Sequence, residues 1–298
     1  MPLTVPLNGL NIVVTAGPLT GEAFAPFGAV VENPRPDLHP SRHPSVAPGA
    51  AAAQPLPFDA VSANQGSAIK YQHVTRMLDL YGQAPSGAPG AAVMNMFVCA
   101  SRPLQPRPVG ACSASSSEDK RPGSFFGVAI LERHPFTTQT FIPLAAHPED
   151  AQMRYLVVVA PSLPPSDVDA TLPVPSSPDA SASARSPSPS SLTSSHPSDQ
   201  QQTLPGRGLP DLRGLRAFVA TSGQAVTYGA GTWHAPMVAL GPEGSTLDFV
   251  VVQFANGIGV EDCQEVVFSS APSPSPSSGG GGGGVSVQVP QRPKESKL

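Results

Sequence analysis

The chain has 298 residues and a formal net charge of -4, and only 13% of its residues are charged. That charge density, without a basic helix or a clustered Lys/Arg patch, argues against a nucleic-acid-binding surface. The longest apolar runs, such as Tyr155 to Ala160 and Leu247 to Val252, have strand length and are too short to span a bilayer, and no secretory leader is read at the amino terminus.

With 38 prolines and 28 glycines, much of the chain is unlike packed core. The remainder, roughly 200 residues, suffices for one sizeable domain. In chain order, Asn11 to Thr15 predicts a first strand. Pro18 to Val31 predicts a short capped turn of helix, with Thr20 as the cap, and then an extended segment from near Phe27. The Pro-, Ala- and His-rich stretch from Asn33 to Pro57 predicts a surface loop in which His39 and His43 are solvated. Asn64, Gln65 and Gly66 predict a turn into a strand over Ala68 to Val74. Lys70 in that strand is either an anchor for a substrate carboxylate or an exposed lysine.

Ala92 to Ala100 (AVMNMFVCA) predicts a buried strand with large apolar groups on both faces. Residues 101–124 predict a long inserted loop that leaves Cys112 exposed. Phe125 to Leu144 predicts a hairpin: alternation places Phe126, Val128, Ile130, Glu132 and His134 on one face. Pro135 stiffens the HPFTT turn, and Gln139 and Phe141 share a face of the returning strand. Glu132 and His134 are then either polar groups at a strand end or an acid/base pair delivered into the mouth of a barrel.

Met153 to Ala160 predicts another buried strand. Residues 161–210, dominated by Ser, Pro, Asp and Ala, predict a disordered insertion, because they carry too little apolar side chain to offset the entropy of ordering. Gly214 to Ala220 and Ala225 to Tyr228 predict two strands around a Ser222-Gly223 turn. In the following GAGTWHAPM, Gly229 and Gly231 permit a tight path, Trp233 supplies a rigid wall, and His234 emerges where the turn meets the next strand. Leu247 to Phe254 and Gln264 to Phe268 complete the β pattern. Residues 269–298 predict a flexible tail ending in Ser296, Lys297 and Leu298, the tripeptide read by the peroxisomal import receptor; the alternative location is the cytoplasm. Cys99, Cys112 and Cys263 show no metal-ligand or redox spacing, which fits a reducing compartment.

Many strands joined by glycine-bearing turns, without a long helix, predict an all-β domain over residues 1–268, an antiparallel sandwich or barrel. Gly223 to His234 resembles one half of a cupin motif, although the paired histidines of the other half are missing. ANQGSAIKY, LERHPFTTQTFIPL, RYLVVVA, AVTYGAGTWHAPM and DFVVVQFANG occur in the order seen in the ureidoglycolate lyase family. The chain resembles a fungal member with expanded low-complexity loops, over about Asn11 to Phe268.

This resemblance implies a cupin-like β-barrel with short peripheral helices, a homodimer, and an enzyme of allantoin breakdown that splits ureidoglycolate into glyoxylate and urea. A peroxisomal address suits such a purine-degradation step. The family pattern marks Asn64, Gln65, Gly66, Glu132, His134, Gln139, Gly231, Trp233 and His234, and often has arginine where this chain has Lys70. A lysine still attracts a carboxylate but lacks the planar bidentate fork. The chemistry implied is elimination: a base takes the hydroxyl proton while an acid protonates the departing urea nitrogen. His134 and His234 are the catalytic candidates in either role, with Glu132 orienting His134. Lys70, Asn64, Gln139 and Trp233 are the candidates for binding substrate. No cofactor is expected; a divalent metal held by Glu132, His134 and His234 with added waters is the alternative. The competing functions are a non-catalytic cupin-like binding or regulatory protein and an amidohydrolase releasing ammonia.

Overall fold

A computed structural model describes residues 2–42, 56–106, 124–144, 153–176, 206–269 and 283–291. The chain opens with β1 (Leu3–Pro6), β2 (Asn11–Thr15), β3 (Gly17–Pro18), the short helix α1 (Gly21–Phe24) and β4 (Gly28–Val31). Thr20 caps α1 as expected, its hydroxyl accepting from the Ala23 amide at 3.2 Å. Next come β5 (Val61–Ala63), β6 (Ala68–Lys70), β7 (Ala91–Ala100), β8 (Phe125–Gly127), β9 (Ile130–Arg133), β10 (Gln139–Leu144) and β11 (Arg154–Ala160). The last part holds β12 (Arg216–Thr221), β13 (Ala225–Tyr228), β14 (Trp233–His234), β15 (Val238–Leu240), β16 (Thr246–Ala255), helix α2 (Gly259–Asp262), β17 (Gln264–Ser269) and β18 (Gly284–Gln288).

An eight-stranded sheet in the order β1-β17-β9-β14-β11-β12-β3, with β15 also on β11, forms the middle of three layers. Strand β11 shows why. Its Leu156, Val158 and Ala160 join one core with Phe126, Val285 and Val287 of the three-stranded sheet β2-β18-β8. Its Tyr155, Val157 and Val159 join a second core with Phe141, Val226, Phe249 and Val251 of the five-stranded sheet β4-β13-β10-β16-β7. A strand covered on both faces reads as an unbroken apolar run, which RYLVVVA is. A separate two-stranded sheet pairs β5 with β6.

The expected cupin-like antiparallel barrel is not formed. Among the described residues the sheets are open: the eight-stranded sheet ends at β1 and β3, and the five-stranded sheet ends at β4 and β7. Three of the pairings, β1 with β17, β3 with β12 and β2 with β18, are parallel. The sequence pattern misled because the strands on either side of two short turns do not pair with one another. β9 lies in the eight-stranded sheet and β10 in the five-stranded sheet, so the HPFTT turn carries the chain between layers instead of closing a hairpin. The Ser222-Gly223 turn does the same between β12 and β13. Alternation also slips inside Phe125 to Arg133: Phe126, Val128 and Leu131 all enter the same core. Glu132 therefore does not share a face with Phe126 and Val128, as unbroken alternation predicts.

Three further expectations need correction. Strand β7 is not buried: among the described residues it pairs with β16 alone, at the sheet edge, and Met94, Met96 and Val98 are 70%, 59% and 66% exposed. The segment from 269 onward is not wholly tail, because β18 inserts between β2 and β8 and buries Val285 and Val287. The ends of the 161–210 stretch belong to the fold, since the Leu163 amide donates to the Leu209 carbonyl at 2.7 Å and the Asp211 amide to the Pro161 carbonyl at 2.7 Å. The expectations for His43, Cys112 and the terminal tripeptide fall outside the described residues.

Candidate active site

The site is built where β14 is clasped between β9 and β11. His234 lies opposite Glu132 of β9 and opposite Val159 of β11. Directly paired residues project to the same side of a sheet, and Val159 belongs to the core beneath the five-stranded sheet. His234 and Glu132 therefore face that inter-sheet space. Trp233, one residue earlier, faces the opposite core.

Both imidazoles are buried, His134 at 8% and His234 at 1% exposure. Their ring centroids lie 5.7 Å apart. Each ring is anchored through Nδ1 by a backbone carbonyl: His134 to Asp262 at 2.6 Å and His234 to Thr232 at 2.9 Å. A carbonyl oxygen can only accept, so each Nδ1 carries the proton and donates. That leaves Nε2 of both rings as the functional atom, and neither has a hydrogen-bond partner. The Nε2 of His234 is 3.6 Å from Glu132 Oε1, an ion-pair distance too long for a hydrogen bond.

Leaving a buried polar atom unpaired costs about 1–3 kcal/mol. Two such atoms beside a carboxylate are poor packing and suit a site that receives a ligand. Tyr228 of β13 completes the arrangement, its ring stacked on His234 with centroids 4.0 Å apart and planes within 11°. Gly231 couples the two histidine segments: its φ of +71° suits glycine, and its amide donates to the His134 carbonyl at 2.8 Å.

Burial, followed by the neighbouring His234, pushes the His134 imidazole down to about 4, against the opposing pull of the Glu132 carboxylate. His134 is thus a neutral base at neutral pH. Burial pushes the Glu132 carboxyl upward, but its interactions with the neighbouring His234 and His134 rings outweigh it and hold the group below its ordinary value. The pair is arranged for proton transfer, with a neutral acceptor on one ring and a carboxylate beside the other.

The ligating atoms of Glu132, His134 and His234 all lie within 4.8 Å of one another. Two imidazole nitrogens and a carboxylate oxygen are a donor set that suits a divalent transition ion and leaves coordination positions open. The same carboxylate also approaches Cys263 and Glu265 within that distance.

The residues expected to bind substrate are dispersed. Gln139 faces the same inter-sheet space as Tyr228, its partner in register. Its Nε2 donates to Gln253 Oε1 at 2.6 Å, while its Oε1 is buried without a partner. Lys70 on β6 and Asn64 in the turn between β5 and β6 are exposed, and that two-stranded sheet is separate from the one that carries Glu132 and His234. Trp233 is fully buried on the far side, donating from Nε1 to the Gly208 carbonyl at 3.1 Å, with the Arg133 guanidinium 4.4 Å from its ring centroid. Sequence reasoning missed Tyr228, Gln253 and the Asp262 carbonyl. The stack of Tyr228 on His234 needs two sheets to face each other, and a carbonyl contact carries no residue-type signal.

The ureidoglycolate lyase family profile matches residues 11–273. The chain is 31% identical over 251 residues to the ureidoglycolate lyase of Schizosaccharomyces pombe, covering 84% of this chain and 89% of that protein. It is 29% identical over 241 residues to the Saccharomyces cerevisiae ureidoglycolate lyase, with coverage of 81% and 85%. A bacterial ureidoglycolate lyase, from Burkholderia mallei, is 26% identical over 235 residues, with coverage of 79% and 78%. On the strength of a match that spans nearly all of the three-layer fold and includes both buried histidines, the chain belongs to the ureidoglycolate lyase family.

Proposed function

We propose that this chain cleaves ureidoglycolate to glyoxylate and urea. The observation that carries the reading is the pair of buried imidazoles whose Nε2 atoms lack partners beside Glu132. His134, held neutral, takes the proton of the substrate hydroxyl at Nε2. The O–H electron pair becomes the carbonyl of glyoxylate as the carbon–nitrogen bond breaks. The bond electrons go to the ureido nitrogen, which is protonated from His234, and Glu132 stabilises the charged form of that ring. Proton transfer between the two rings, directly or through solvent, restores the starting state.

Gln139 Oε1, buried without a partner, suits an N–H of the ureido group. Lys70 and Asn64 are kept as binders of the substrate carboxylate and ureido group, a role that requires the β5–β6 hairpin to lie over a site. The homodimer belongs to the same proposal. It is supported by the apolar outer face of the five-stranded sheet, where Met94, Met96, Val98, Ile142 and Leu144 are exposed. Peroxisomal import is part of the same proposal, supported by the tripeptide Ser296, Lys297 and Leu298.

An assay on ureidoglycolate that follows urea, glyoxylate and ammonia together tests the reading. Equimolar urea and glyoxylate are expected, lost on replacing His134 or His234 without unfolding. Ammonia in place of urea identifies an amidohydrolase, and binding of ureido acids without any product identifies a binding protein. Metal analysis before and after chelation completes the test. Stoichiometric metal, with activity lost on its removal and regained on its return, replaces the metal-free acid–base scheme with a metal-centred one.

A further inference from the structure

Helix α2 is hydrogen-bonded to the imidazole pair through the Asp262 carbonyl, and it carries two heavily bonded carboxylates next to that contact. Asp262, whose carbonyl accepts from His134 Nδ1 at 2.6 Å, has both carboxylate oxygens engaged. Oδ1 accepts from the Tyr81 hydroxyl at 2.7 Å and the Asn256 amide at 2.8 Å, and Oδ2 accepts from the Gly257 amide at 2.8 Å. The Asp262 amide donates to the Ile258 carbonyl at 2.8 Å, closing the turn. Glu261, 3% exposed, accepts from the Ser86 amide and hydroxyl at 2.8 and 2.6 Å and from Asn256 Nδ2 at 2.7 Å. Tyr81, fully buried, packs at 5.8 Å against Phe136, two residues beyond His134.

We infer that Asp262 is a positioning residue for His134, with Tyr81 as its support. The side chain of Asp262 pins the short helix so that its carbonyl stays in line with Nδ1. That carbonyl selects the tautomer with the proton on Nδ1 and leaves the Nε2 lone pair toward Glu132 and His234. Free to turn, the ring would present the wrong nitrogen or swing its lone pair out of line. A displacement of about 1 Å at a reacting group costs on the order of 100-fold in rate. The inference rests on the acid–base reading of His134.

The test uses the full-length chain with 15N-labelled histidine, in wild type and in Asp262→Ala, Asp262→Asn and Tyr81→Phe. Nitrogen chemical shifts near pH 7 report the His134 tautomer without any turnover. Wild type is expected to show Nδ1 protonated and Nε2 bare. Asp262→Ala is expected to mix the tautomers and to lower kcat by roughly 10- to 100-fold with KM within about twofold. Asp262→Asn sets an amide NH2 against backbone donors and is expected to behave similarly. Tyr81→Phe, which loses one of three bonds to the carboxylate, is expected to fall between. Val287→Ala, in the distant core beneath the three-stranded sheet, serves as the stability control and is expected to lower the melting temperature without moving the tautomer or kcat. A wild-type ring protonated on Nε2 overturns the inference, as does an unchanged tautomer and kcat in folded Asp262→Ala. Because the nitrogen shifts need no substrate, a chain that releases no urea defeats the functional reading and leaves the positional one separately readable.

Discussion

Burial of a neutral His134 has a consequence for stability that can be worked out in sign and size. Its folded value is about 4, pushed down by burial and by His234, against an ordinary value of 6.5. Between these limits the unfolded chain binds a proton that the folded chain refuses, so acid favours unfolding. The stabilisation is complete above about pH 6.5, declines as pH falls, and is lost near pH 4. The difference of about 2.5 pH units corresponds to roughly 3 kcal/mol, lost at about 1 kcal/mol per pH unit near pH 5. Glu132, held below its ordinary value, adds a loss in the same direction at and below the carboxylate range. Urea unfolding of wild type and His134→Gln at half-unit steps from pH 7.5 to 4.5 isolates the histidine, because the glutamine variant lacks the titrating ring. The two curves of stability against pH are expected to converge as pH falls. Parallel curves across the range would refute a buried neutral imidazole at this position.

The other predictions concern faces and neighbours. Trp233→Ala empties a fully buried site and is expected to cost about 3–5 kcal/mol in a thermal or urea melt, with the surviving folded protein keeping its KM. Tyr228→Leu removes the flat stack on His234, worth about 1 kcal/mol, and is expected to lower kcat roughly fivefold in the product-resolved assay. Met94→Lys with Met96→Lys charges the uncovered face of β7; sedimentation is expected to show a smaller species than wild type, and an unchanged mass removes this face from the dimer proposal. Deleting Ser296 to Leu298 from a fluorescent fusion is expected to abolish peroxisomal accumulation, and equal distribution of both forms refutes the address.

Local pattern made the strands legible but left their partners obscure. RYLVVVA and AVMNMFVCA read alike, as apolar strands, yet β11 is covered on both faces while β7 stands at an edge with Met94, Met96 and Val98 exposed. What covers a face is decided by distant chain, as when β18 covers part of the central sheet from beyond a Gly/Ser run. The barrel expectation failed for the same reason, because short turns were read as hairpins although two of them cross between layers. At the site, the residue types Glu132, His134 and His234 were legible as acid/base groups. Their meeting depends on the pairing of β9 with β14 across about a hundred residues, which no local period encodes. Trp233 was expected beside His234 as a binder of substrate, whereas adjacent residues of a strand face opposite ways and Trp233 enters the core behind the sheet.

That division of faces makes the two-residue strand β14 the link between packing and chemistry. On its far side Trp233 is held by the Gly208 carbonyl and stacked by Arg133 of β9. The Arg133 guanidinium, fully buried, donates to the carbonyls of Gly206, Arg207 and Gly208 and to Gln264 Oε1. Strands β9 and β14 are thereby pinned together from behind through Arg133 and Trp233, and the same two strands carry Glu132 and His234 in front. A buried cation satisfied by carbonyls is costly to disturb, because loss of its partners leaves charge without hydrogen bonds. The spacing of the Glu132 carboxylate and the His234 imidazole is therefore set by a contact on the opposite surface of the sheet. Polar groups behind the sheet hold the register in which Glu132 and His234 meet.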